Sequence, residues 1–444
     1  MVQSAGNFKS RVLTSVVVAI ACAFLPFCYK APTSSSGGTT TNGLPPSGVR
    51  FRAFVSQDIS TSTSTAGLDI VDARLDKLVR APGVAAGNAP TIMKVAGNHK
   101  FTLVFDSALN AVNVVDNHAE NTVGRVTLPG PTESMALPDD ASVAFVAVPT
   151  AIVAGQPVGA VEMLNLTNFS LEPPIPVAAA RFIVLSPDAT RLLAFSSNQN
   201  QVTLINLSNI GTSTTPNWVV NGSPVPVTGA GLDNPVWAVF TSDSKTAFVL
   251  SCGPECGGTT AGVSVIDFSG TTPTLGATVP VPSATFGALF GSTLYVAGSA
   301  PTPVGTNSCA PTSTAATSCG QLGLVDTASL SLLKTLTITD GYHDRMGVTS
   351  DNQVFVGSHG CTNINIANGE QRGCLSIFNS AQNSMTIGTD LGDVTGIQPV
   401  TGRTEVYVVE NGELRIWDTT TDKLLTPDKQ INIVGQAIDV KIPD

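Results

Sequence analysis

Histidine is scarce in this chain, with four in 444 residues. Two of them, His343 and His359, lie near Asp344, Arg345 and, further on, Asp393. Neutral imidazole and carboxylate are metal ligands and proton carriers. His343, His359 and Asp344 are therefore candidate metal ligands. With Arg345 and Asp393 they make a candidate acid/base group. The same side chains also serve as a hydrogen-bonded corner, which Tyr342 and Arg345 would complete, and that reading is preferred. His99 and His118 are isolated and read as surface or turn residues. Trp417 reads as packing, and so does Trp237, although its position at a corner would let it reach a loop face. Beyond residue 28 the cysteines fall in three pairs, Cys252 with Cys256, Cys309 with Cys319 and Cys361 with Cys374. An even count in an exported chain reads as disulfides, and local pairing is the simplest of the connectivities. Cys-x-x-x-Cys also ligates zinc, but Cys252 and Cys256 have no second Cys/His pair in their own loop. No zinc-protease, nucleophile-elbow, phosphate-loop, haem-attachment or calcium-loop motif occurs.

The elements that must position these groups repeat. An apolar run ending in Asp or Asn returns eight times: 68–72, 112–116, 161–165, 202–206, 263–267, 322–326, 375–379 and 414–418. The terminal Asp or Asn suits a turn, because its side chain bonds the backbone two residues on. The mean interval is about 49 residues, in the range of a propeller blade. Three further strand-like pieces accompany each copy, so each unit reads as four antiparallel strands a, b, c and d, with a innermost and b–c–d following. Strand b begins near residues 51, 101, 143, 191, 246, 293, 353 and 404. The first b has no a before it, and 437–441 has the character of an a with no b after it. The two ends are expected to complete one blade. The fold expected is all-β, a single propeller of eight blades, with seven as the alternative. About the turn at Ser350-Asp351-Asn352, antiparallel pairing sets His343 opposite His359, with Cβ atoms about 5 Å apart.

The Ser186-Pro187-Asp188 turn and the strands ending in Ile-Asp, such as 263–267, resemble the YVTN repeats of bacterial propellers, and similar repeats occur in lactonase-type propellers. The resemblance covers 51–444. It implies the propeller fold and leaves the activity open, because one repeat hosts many functions. Tyr295-Val296-Ala297-Gly298 is a degenerate copy of the family's signature.

Lys9 and Arg11 precede an apolar run from Val12 to Phe27, a secretory pattern too short for a spanning helix. Cys22 and Cys28 end it and are lipidation candidates. The organisation expected is a signal at 1–28, a Ser/Thr/Gly/Pro tether at 29–50 and the propeller at 51–444. The location expected is the periplasm or cell surface, with membrane contact only through the signal or a lipid anchor. A net charge of −10 with 22 Lys and Arg excludes a nucleic-acid footprint. The b–c and d–a loops share one face, which receives the long insertions, the cysteines and the histidine group. Function is expected there, on 246–400. The favoured reading is a monomeric, non-enzymatic binding or scaffold module for an envelope protein or glycan, with no cofactor. The alternatives are a lactonase-like hydrolase or a propeller holding a metal or cofactor.

Overall fold

The computed structural model describes residues 43–59, 67–79, 83–301, 318–361, 373–388, 392–425, 431–433 and 435–444. Cys22, Cys28, Cys309 and residues 29–42 of the tether fall outside them. Eight antiparallel sheets follow one another along the chain, each with four strands on its main path. Seven of them run a, b, c, d in chain order, with inner strands Pro90–Val95, Ser134–Ala136, Ala180–Leu185, Pro235–Phe240, Phe286–Phe290, Tyr342–Val348 and Val394–Pro399. The eighth takes its inner strand, Gln436–Lys441, from the end of the chain and pairs it with Arg52–Asp58. The chain is an eight-bladed β-propeller. The only helical element among the described residues is one 3-10 turn, Gly253–Cys256. Blades are numbered 1 to 8 from the one that holds both termini.

Burial explains why the b and c strands are so apolar. Strand b is covered on both faces, as in Phe101–Asp106 and Val143–Val148, where every residue is buried. A buried apolar cluster fills each of the eight seams between neighbouring blades. Phe54, Phe105, Phe145, Phe195 and Phe355 are fully buried on b strands, each contributing roughly 1.5–3 kcal/mol. Outer strands alternate instead, as Asn121–Thr127 does with its exposed and covered residues.

The turns follow the chemistry of their residues. Asp72 accepts from the N–H of Arg74 at 2.9 Å, Asp267 from Ser269 at 2.8 Å and Asp418 from Thr420 at 2.7 Å. These are the c–d turns that the repeated terminal Asp foretells. In the a–b turns, Ser186 Oγ donates to Asp188 at 2.6 Å and Thr241 Oγ1 to Asp243 at 2.7 Å.

One feature departs from the expected register. Six inner strands carry a β-bulge near their upper end, at Thr91, Arg181, Val236, Asp344, Thr395 and Ile438. Below the bulge in blade 7, Arg345 pairs with Gly357 and Met346 with Val356, as the turn at 350–352 requires. Above it the register slips by one, so Tyr342 faces His359 and His343 faces Ser358. The expected His343–His359 pairing is therefore wrong. A bulge places two residues against one and redirects every side chain beyond it.

Candidate functional site

The slip separates the two histidines. His343 turns into the blade and is 1% exposed. Its Nε2 donates to the carbonyl of Thr339 at 3.0 Å. Burial drives its pKa down to about 4, so the ring is neutral at ordinary pH. His359 stays half-buried at the end of strand b. Its Nε2 lies 3.0 Å from Asp344 Oδ1, a close contact not aligned as a hydrogen bond, and its Nδ1 lies 3.8 Å from Asp393 Oδ2. Arg345 donates to Asp344 Oδ2 at 2.9 Å and, through Nε, to the carbonyl of Thr395 at 2.7 Å. Asp393 also accepts from the Gly360 N–H at 2.7 Å. Burial works to raise the Asp344 carboxyl, but the contact with His359 and the charge of Arg345 outweigh it and hold the group below its ordinary value. Of the candidate group, His359, Asp344, Arg345 and Asp393 meet, while His343 is a core residue. Among the described residues no three His, Cys, Asp or Glu side chains converge as a metal ion requires. The candidate metal set of His343, His359 and Asp344 does not form.

Cys252 is bonded to Cys256 and Cys361 to Cys374, closing b–c segments on this same face. The pairing of Cys309 with Cys319 lies outside the described residues. Glu255, inside the first of these loops, reaches across to blade 6 and accepts from the Ser299 N–H at 2.7 Å. Burial lifts its pKa to about 7.

A cavity of about 560 Å³ occupies the axial channel, and Asp344 and Arg345 belong to its wall. Strand register explains the rest of that wall. Equivalent positions on the eight inner strands form rings. The upper ring, next to the bulges, reads Asp439, Ile92, Ser134, Phe182, Trp237, Phe286, Arg345 and Gly396 from blade 1 to blade 8. Two residues further down, the lower ring carries Lys441 on blade 1 and Lys94 on blade 2. The wall is thus polarised. Blades 4 to 6 give an aromatic half-collar, with Trp237 at 4.8 Å from Phe286 and 6.4 Å from Phe182, centroid to centroid. Trp237 therefore packs and also faces the channel. The opposite wall is cationic. Lys441 is neutralised by Asp439 at 2.7 Å. Lys94 has no direct ion pair or hydrogen bond among the described residues. Burial, with Lys441 and Arg345 nearby, lowers its pKa to about 8.

Lys94, Lys441 and Asp439 carry no motif, and the sequence reading passed over them. The signal that would find them is the repeat itself, because one channel-facing residue of each inner strand becomes a ring once the strands are aligned through their bulges. His99 and His118 are exposed, His99 in a turn with φ 56°. Trp417 is buried and donates to Glu410 at 3.1 Å.

No family model matches the chain, and no curated protein does. Solved structures do. A dihydro-haem d1 dehydrogenase, NirN, aligns over 90% of this chain and 77% of its own, at 13% identity and a TM-score of 0.60. A functionally unknown protein from Desulfotomaculum acetoxidans aligns over 88% and 99%, at 10% identity and a TM-score of 0.50. A periplasmic gluconolactonase from Pseudomonas aeruginosa aligns over 88% and 98%, at 16% identity and a TM-score of 0.47. At such identities the likeness is one of fold. Lactonase propellers are among these neighbours, whereas the YVTN family itself rests on the repeat residues alone.

Proposed function

We propose that the protein is an exported, non-enzymatic binding propeller that takes a small molecule at the channel mouth, on the face of the b–c and d–a loops. The observation that carries this reading is the cavity. A space of about 560 Å³ is the size of a ligand site, and it combines apolar walls with a few convergent polar groups. The bonded cysteines on that face agree with an oxidising compartment. Among the described residues no helix is long and apolar enough to cross a membrane. The test is a titration of the disulfide-intact protein with 1-anilinonaphthalene-8-sulfonate, followed by emission. One saturable site is expected, weakened about tenfold by Trp237→Ala, since an aromatic contact of this kind is worth on the order of 1 kcal/mol beyond its buried area. Trp218→Ala, which alters a separate groove beside blades 3 and 4, should leave that site unchanged. Binding indifferent to Trp237→Ala would return the function to the loop rim and to an envelope protein or glycan.

The His359–Asp344 contact favours a second reading, a hydrolase working at the same mouth. A half-buried imidazole held beside a carboxylate is suited to general-base work. A screen of lactones and esters tests it: turnover that His359→Gln abolishes supports the hydrolase, and no turnover leaves the binding module.

A further inference from the structure

The charges around the cavity do not cancel locally. Arg345 is paired with Asp344, and Glu133 with Arg181 at 2.9 Å. Asp439 accepts from Lys441, from the Val440 N–H at 2.8 Å and from the Met93 N–H at 3.3 Å. No hydrogen bond or ion pair joins it to Lys94; its charge acts on that amine only from a distance. That ammonium stands in the lower ring without a bonded anion. Lys94 is half-buried; a cation partly withdrawn from water without a bonded partner is costly, and a carboxylate or sulfonate that reaches it makes a strong charge-assisted bond. Above it, about 7 Å nearer the mouth by strand geometry, three half-buried rings line the opposite wall. Among the described residues of the wall, the carboxylates of Glu133, Asp344 and Asp439 are each paired with a cation, so none stands alone to repel an acid.

We infer that the cavity takes a small organic anion with a flat aromatic or apolar body, its acid group on Lys94 and its body against Phe182, Trp237 and Phe286. The ligand enters acid end first, past the half-collar, and spans the channel from the aromatic wall to the basic one. Lys441 and Arg345 add to the attraction without being its direct partners. This inference rests on the cavity being the ligand site.

The experiment compares two probes of nearly equal shape, anionic 1-anilinonaphthalene-8-sulfonate and neutral N-phenyl-1-naphthylamine, on the disulfide-intact protein at pH 7. The anionic probe should bind more tightly. Lys94→Gln should weaken it about tenfold and leave the neutral probe within about twofold. Lys441→Gln should weaken the anion less, and it decides the matter if Lys94→Gln does not fold. Equal affinities, with the anion indifferent to both substitutions, overturn the anion assignment while the cavity reading stands. If neither probe responds to Trp237→Ala, the cavity reading fails and takes this inference with it.

Discussion

Lys94 is the residue whose chemistry is most exposed to test. Its folded pKa is about 8 against 10.5 unfolded. Between those values the unfolded chain holds the proton more tightly, so stability rises with pH across that window. Below about 8 both states are protonated and the cost of the partly desolvated charge is present in full. Anion affinity runs the other way and falls as the pH passes about 8, because the ammonium is lost. Burial is the main cause; of the charges that face the same amine, Lys441 and Arg345 add to the shift and Asp439 opposes it. The expected result is that Lys94→Gln raises stability at pH 7 and removes part of the alkaline gain, as measured by denaturant unfolding from pH 7 to 10.5. A variant with an unchanged pH profile would mean that Lys94 is solvated like a surface lysine. A lone lysine in an apolar strand has no motif to mark it, and its place in the repeat marks it only once the strands are aligned through bulges that the sequence does not show. His343 shows the opposite error. Its type and neighbourhood suggested chemistry, and one bulged residue turned it into the core.

Elements were more legible than residues. The Asp-terminated c strands and the Ser-Pro-Asp turns have local causes, a side chain bonding its own backbone, and the structure repeats them around the ring. The bulges were not legible, since nothing in Tyr342-His343-Asp344-Arg345 says which residue will be left unpaired. The b–c segment 252–256 gives an element-scale prediction. Glu255 bridges from blade 5 to the Ser299 N–H of blade 6, and its pKa rises from 4.5 to about 7. The unfolded carboxyl ionises first as the pH rises, so stability should fall between about pH 4.5 and 7. Glu255→Gln keeps an oxygen to accept the Ser299 N–H and cannot ionise. It should be more stable than the parent at pH 8 and equal to it at pH 4. Parallel melting curves for the two proteins across that range would refute a buried, protonating Glu255.

At the scale of the whole molecule, the repeat count foretold both the number of blades and the way the ring closes. Each unit's hydrophobic faces need a neighbour on either side, and only a closed ring supplies both. Gln436–Lys441 is the inner strand of blade 1 and also packs against blade 8 through Ala437 and Val440, with Ile442 just beyond it in the same cluster. Arg52 pins the closure. Its guanidinium is 4% exposed and binds Glu120 of blade 2 at 2.7 Å as well as Asp444. Burial opposes its charge, but the bonds to Asp444 and Glu120 outweigh that and leave its pKa raised. Asp444→Asn keeps part of the hydrogen bonding and should cost on the order of 1–2 kcal/mol. Arg52→Met leaves two carboxylates facing each other without their cation and should cost more, roughly 3–5 kcal/mol. Deleting 435–444 removes the inner strand itself and bares the seam between blades 8 and 1. Loss at that one seam should spread, because each blade is held only by its two neighbours. The truncated protein should therefore unfold in a broadened transition at lower denaturant and expose apolar surface to a hydrophobic dye. A sharp transition at the parent's midpoint would show that the seven remaining complete blades hold without closure.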